Sequence, residues 1–193
     1  VYKRQILIFL GSLNVSAFNI NDINFINSEG KEVDLSQIDS EIIFEWSNLE
    51  CPYVKRHYGS NNMQTTQKFA KSKNVIWITV ISSAEGKQGY IQPNDAVNTF
   101  ASFGSFPDHI LVDENGDLGK KFNAKTTPHI FIADKNKNIV YQGAIDDAGG
   151  SRFWTTDLNQ STNFVKKVVN DIKSNKPLSV SKTRPYGCSV KYG

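Results

Sequence analysis

Residues 41–59 read Glu41-Ile42-Ile43-Phe44-Glu45-Trp46-Ser47-Asn48-Leu49-Glu50-Cys51-Pro52-Tyr53-Val54-Lys55-Arg56-His57-Tyr58-Gly59. Glu41 to Trp46 is a short apolar run rich in strand formers, the pattern of a β-strand buried on both faces. Four residues later comes Cys51, and Pro52 then opens a helix, proline being favoured in a first turn where its missing N–H has no partner to lose. A cysteine so placed lies at a helix N-terminus on the C-terminal edge of a sheet. There the unpaired N–H groups and the helix dipole favour thiolate, so its pKa is expected below the unperturbed ~8.5. Lys55, Arg56 and His57 push the same way if they face the sulfur. The alternative is a buried, inert cysteine. Glu45 is a carboxylate inside the apolar strand, costly unless paired and raised in pKa by burial. It is read either as a proton acceptor for the thiol or as an edge-facing or salt-bridged glutamate.

Outward from this stretch the pattern is regular. Asn24 to Leu35 reads as a hairpin turning at Ser28-Glu29-Gly30. Helix continues from Pro52 to about Lys73 with a break at Gly59–Asn62, and Val75 to Ile81 is the clearest buried strand. Pro93 to Ala101 reads as helix, and His109–Val112, Pro128–Ala133 and Asn138–Gly143 as strands, the last two paired across a turn at Asp134–Lys137. Ser161 is expected to cap a helix bearing Phe164, Val165, Val168, Val169 and Ile172 on one face. A hairpin, then βαβα, then ββα predicts an α/β domain with a mixed central sheet and helices on both faces.

The chain has 193 residues with 39% hydrophobic and 21% charged, which excludes a disordered polymer and suffices for one core. A formal charge of +3, spread along the chain, argues against a nucleic-acid surface. No apolar run approaches the ~18 residues of an integral membrane helix. Residues 1–17 read as an export signal, with Lys3 and Arg4 before the apolar Ile6–Leu13 and small residues at Val15-Ser16-Ala17; a buried N-terminal strand is the alternative. The first five residues, VYKRQ, translate a transposon end used in preparing sequencing libraries and are expected to be foreign to the natural chain. A domain over 18–174 and a tail over 175–193 follow, and export to a periplasmic or extracellular space would let a disulfide persist. The tail is rich in Pro, Ser and Lys but closes on Tyr186-Gly187-Cys188-Ser189-Val190-Lys191-Tyr192, so it is expected to pack back on the domain.

Thr126-Thr127-Pro128-His129 precedes a strand, and a proline there marks a tight connection, in some cases cis. His57, His109 and His129 lack metal-ligand spacing, and no metal or cofactor is expected. Gly86-Lys87-Gln88-Gly89 lacks the phosphate-loop pattern. Asp146-Asp147 reads as a turn, with cation binding or loop ordering as the alternative. Trp46, Trp77 and Trp154 are read as packing residues.

WSNLECPYVK (46–55), GKKFNAKTTPHIFIADKNKNIVYQGAIDD (119–147) and YGCSVKY (186–192) resemble a thioredoxin-fold redoxin. The likeness is greatest to the peroxiredoxin-like branch of the alkyl hydroperoxide reductase and thiol-specific antioxidant family. The resemblance spans roughly Ile23 to Tyr192 and implies a thioredoxin-like fold and a thiol-dependent oxidoreductase. It matches Cys51 to the nucleophilic cysteine, Pro128 to the cis-proline facing it, Glu45 to the buried acid and Cys188 to a near-terminal cysteine. Pro52, Thr127 and Asn48 would then border the substrate. Val54 stands where dithiol thioredoxins carry a second cysteine, so exchange between neighbouring cysteines is excluded. Phe44 and Asn48 stand where peroxiredoxins carry proline and threonine, leaving Asn48 or Ser47 to supply any hydrogen bond to a peroxide.

Cys188 is open to three readings: it resolves an oxidised Cys51, it forms a permanent structural bridge in a non-catalytic binding module, or the two thiols stay apart. The expected partners are a thiol reductant, protein or small thiol, and a peroxide or disulfide substrate.

Overall fold

A computed structural model describes residues 19–150 and 153–193; the expected export segment lies outside them. The core is a five-stranded sheet ordered β5-β4-β3-β7-β8. Its strands are β3 (Ile42–Trp46), β4 (Ile76–Ile81), β5 (His109–Val112), β7 (His129–Ala133) and β8 (Ile139–Gly143). β3 runs parallel to β4 and antiparallel to β7, and β4 is parallel to β5. β3 is thus central, which is why every one of its five residues is buried and why the sequence there does not alternate.

Two apolar layers sandwich the sheet. On one face Ile43, Trp77, Ile81, Ile130 and Ile132 pack against α1 (Pro52–Gly59), α2 (Asn62–Ser72), α3 (Pro93–Ser102) and α5 (Phe164–Lys173). On the other, Ile42, Phe44, Trp46, Val80 and Phe131 meet the hairpin β1 (Asn24–Ile26) and β2 (Glu32–Asp34) and the short α4 (Asp117–Phe122). Phe122 lies 4.9 Å from both Phe44 and Trp46 and 5.2 Å from Phe131, ring centre to ring centre.

Two boundaries differ from the sequence reading. α5 is capped by Asn163, whose side chain accepts from Lys166 N, not by Ser161; Ser161 closes the preceding turn at Leu158–Gln160. α4 has no apolar periodicity to announce it and is bounded by left-handed residues, Gly116 before it and Asn123 after it.

The tail is ordered against the domain. Thr183 N and Gln142 N exchange bonds across Gln142 O and Ser181 O, and β9 (Cys188–Ser189) pairs antiparallel with β6 (Thr126–Thr127). Val190 N then donates to Lys125 O, and the Tyr192 hydroxyl to Ala124 O at 2.8 Å.

Candidate active site

β3 ends at Trp46 and Cys51 is the N-cap of α1, so the tight turn 47–50 sets the sulfur over the edge of the sheet. Asn48 builds that turn. Its Oδ1 accepts from Glu50 N at 2.8 Å and its Nδ2 donates to Gln88 O at 3.0 Å, while Gly89 leaves it room, a Cβ there falling 2.1 Å from Oδ1. The Asn48 amide is therefore engaged by backbone, and Ser47 is buried beside it.

Across from Cys51 the Thr127–Pro128 peptide is cis. The Cys51 thiol reaches Thr127 O at 3.1 Å, and its side chain is 0% exposed. The Thr127 hydroxyl is itself buried and has no hydrogen-bond partner among the described residues. Pairing of Thr127 with Cys188 across β6 and β9 brings the second sulfur to 2.7 Å from the first, with both cysteines free. A disulfide of ~2.05 Å needs only a small further approach. Gly187 makes this possible. At φ +141° it passes so close to Thr127 that a Cβ would lie 2.1 Å from the carbonyl oxygen. Cys188 is only half-buried; burial, then the neighbouring Cys51 sulfur, raises its pKa.

Arg56 and His57 do not face Cys51. The Arg56 guanidinium donates to Thr156 O at 2.6 Å and lies 4.7 Å over the Phe153 ring. His57 is wholly buried, and burial, with Arg56 second, lowers its pKa to about 3, so it is neutral. The expected cationic help is replaced by a hydrogen-bonded ring. Asn62 Nδ2 donates to His57 Nδ1 at 2.9 Å and to Asp146 Oδ2 at 2.9 Å. With Nδ1 accepting, Nε2 carries the proton and donates to the Tyr186 hydroxyl at 3.1 Å, which in turn donates to Asp146 Oδ1. Ala148 N also donates to that oxygen. Asp146 thus orders its loop from inside the protein, its pKa raised by burial against these bonds. Asp147 accepts from Thr162 N at 2.9 Å. No local signal marks Tyr186 as part of this ring beyond its place two residues before Cys188.

Glu45 is buried, and burial raises its pKa against hydrogen bonds that include those from Trp77, Tyr58 and Thr79. Trp77 Nε1 donates at 3.0 Å, Thr79 Oγ1 at 3.2 Å and the Tyr58 hydroxyl at 3.1 Å. Neither sulfur is among its partners, so the structure does not bring it to Cys51 as a direct proton acceptor. It is not edge-facing, since it lies in the central strand, and among the described residues its partners Tyr58, Trp77 and Thr79 are neutral donors and not a cation. Trp46 and Trp77 are core residues, but Trp154 is 53% exposed beside Tyr53 and Phe153. Among the described residues no group of three or more His, Cys, Asp or Glu could hold a metal ion. Among them, too, no helix is long and apolar enough to cross a membrane.

The model of the Redoxin family matches residues 16–153. No curated protein matches the sequence. Among solved structures, a hypothetical protein from Sinorhizobium meliloti 1021 is similar with a TM-score of 0.73 at 16% identity, over 92% of this chain and 94% of that one. An uncharacterized conserved protein from Geobacillus kaustophilus gives 0.71 at 20%, over 91% and 86%. The thioredoxin domain of a thiol-disulfide oxidoreductase from Bacteroides vulgatus gives 0.50 at 16%, over 65% and 86%. The fold is thioredoxin-like.

Proposed function

This chain belongs to the Redoxin family, and on that premise we propose that it is a thiol-dependent oxidoreductase whose working pair is Cys51 and Cys188. The observation that carries the reading is the pair itself: two free sulfurs 2.7 Å apart, one at a helix N-terminus facing a cis-proline, the other on a tail strand. The family name alone supports only the coarser statement, and the Bacteroides oxidoreductase domain shares the fold.

The chemistry runs in two halves. With the tail lifted, the Cys51 thiolate attacks an oxygen of a peroxide; the O–O bond breaks, an alcohol or water leaves after taking a proton, and Cys51 holds a sulfenic acid. If the substrate is a disulfide, Cys51 bonds one sulfur and the other departs as thiolate. The Cys188 thiol then attacks the Cys51 sulfur, forming the 51–188 bond; its proton goes to the departing oxygen or sulfur, which leaves as water or as the second substrate thiol. For reduction, Cys188 is the sulfur that solvent reaches, so a reductant thiolate bonds it and Cys51 leaves as thiolate. A second reductant thiolate releases Cys188. Thr127, whose carbonyl oxygen accepts from the Cys51 thiol, is on this reading a hydroxyl donor to the substrate. Export to an oxidising compartment belongs to the reading and rests on the basic, apolar and small residues of 3–17.

Turnover of peroxide and of a model disulfide by the wild type, Cys51→Ser and Cys188→Ser tests this. Loss of all turnover in Cys51→Ser is expected, with Cys188→Ser oxidising once and stalling. Full rate in Cys51→Ser refutes the assignment. The second reading, a binding module with a structural bridge, is favoured by the complete burial of Cys51. Closing so long a loop (Cys51 and Cys188 are 137 residues apart) would stabilise the fold by about 5 kcal/mol in the chain-entropy model.

A further inference from the structure

The half of the tail that delivers Cys188 is held from both sides. After it, Ser189 pairs with Thr126 and Tyr192 fastens to Ala124 O. Before it, only Gly187 separates it from Tyr186, whose ring lies on Gly149 so closely that a Cβ there would sit 2.4 Å from it. The Tyr186 hydroxyl enters the buried ring of His57, Asn62 and Asp146. That ring is complete. Every donor in it meets an acceptor, and its members come from α1, α2 and the loop after β8, none of which belongs to the tail. Removing the hydroxyl leaves the His57 Nε2–H without its acceptor and takes one donor from the Asp146 carboxylate, both in a buried site.

We infer that Tyr186 is a positioning residue: its hydroxyl, received by Asp146, His57 and Asn62, latches the tail so that Cys188 lies on Cys51. The inference rests on the proposed redox pair and adds how that pair is brought together. The latch exists only while the tail is down. It therefore favours the closed, bond-forming arrangement over the open one in which Cys51 meets a substrate. Breaking it leaves the chemistry of both sulfurs intact and shifts the balance towards open.

Tyr186→Phe keeps the ring and removes only the hydroxyl. The experiment follows the alkylation rate of Cys51 in the reduced protein and the equilibrium of the 51–188 disulfide with glutathione. A change that merely weakens the whole fold is reproduced by Phe122→Leu on the opposite face of the sheet, which serves as the control. Tyr186→Phe is expected to raise Cys51 alkylation about tenfold over that control. It is also expected to make the disulfide up to tenfold easier to reduce, about 30 mV for a two-electron couple. Asp146→Asn, which sets an amide against the Asn62 amide, is expected to do the same and replaces Tyr186→Phe if that variant does not fold. If the disulfide forms but both variants alkylate and equilibrate like the control, the latch is overturned while the redox pair stands. If the wild type forms no 51–188 disulfide under any oxidant, the redox reading falls and the latch with it.

Discussion

Gly187→Ala is the smallest change that should separate the two sulfurs. The new Cβ would meet Thr127 O at 2.1 Å and Thr127 C at 2.7 Å, and Pro128 N at 3.2 Å. These are backbone atoms of a β-strand and a cis-proline, so they cannot turn aside as a flexible side chain would. Ordinary contact begins near 3.4 Å, so the tail must withdraw by about 1.3 Å. The φ of +141° adds strain that an L-residue rarely accepts. Reacting groups displaced by about 1 Å lose on the order of 100-fold in rate. The variant is therefore expected to form the 51–188 disulfide about 100-fold more slowly. If that whole factor enters the equilibrium, the bond is about 60 mV easier to reduce. Stopped alkylation with mass spectrometry after an oxidant pulse gives the rate, and equilibration in glutathione buffers gives the potential. Gly30→Ala is the control. It too has positive φ, +77°, but with nothing within 4 Å of the new methyl. It should lose about 1–2 kcal/mol of stability to backbone strain and leave the sulfurs unaffected. A Gly187→Ala protein that forms its disulfide at the wild-type rate and potential would refute the placement of the tail over Thr127.

His57 and His129, lowered by burial to about 3 and about 4, stay neutral where an unfolded imidazole of pKa ~6.5 is protonated. The unfolded chain then binds more protons, so stability present above pH 6.5 is lost as pH falls towards 4, by up to about 1.4 kcal/mol per pH unit per histidine. Glu45 and Asp146, raised by burial, slope the opposite way above ~4, so the check is a comparison: denaturant midpoints of His57→Asn should vary less steeply over this window, and equal slopes would contradict it. Glu45→Leu strips the acceptor from Trp77 and Thr79 and should cost about 3 kcal/mol or more by chemical denaturation; a loss under 1 kcal/mol would show the carboxylate is not holding them. Phe122→Ala should cost about 3–5 kcal/mol, because its ring fills the space between Phe44, Trp46 and Phe131. Lying on the far face of the sheet, it should leave the disulfide potential unmoved.

Local patterns in the sequence announced the sheet. β4, and β3 apart from Glu45, are runs of strand formers because both are covered on two faces, and Pro52 and Pro93 mark helix starts by chemistry specific to proline. Cys51, Pro128 and the return of the tail could be read from the same kind of local signal. What could not be read was long-range. α4 lies between two left-handed residues with no periodic stripe, so only Gly116 and Asn123 hint at it. Asn48 looked available to a substrate because its partners, Gln88 and Glu50, are fixed by the folded turn. Arg56 and His57 are near Cys51 in sequence, but the helix turns Arg56 to Phe153 and His57 into the buried ring. Tyr186 and Asp146, 40 residues apart, meet only through the tertiary fold.

A 51–188 disulfide that is made and broken in use must have a reduction potential to match, and that potential is the quantity to measure first. Alkylation and mass spectrometry across a series of thiol buffers give it. A working pair gives a reversible bond between about −120 and −270 mV, the range of redox-active proteins. A bond below about −300 mV would contradict it and identify a permanent staple.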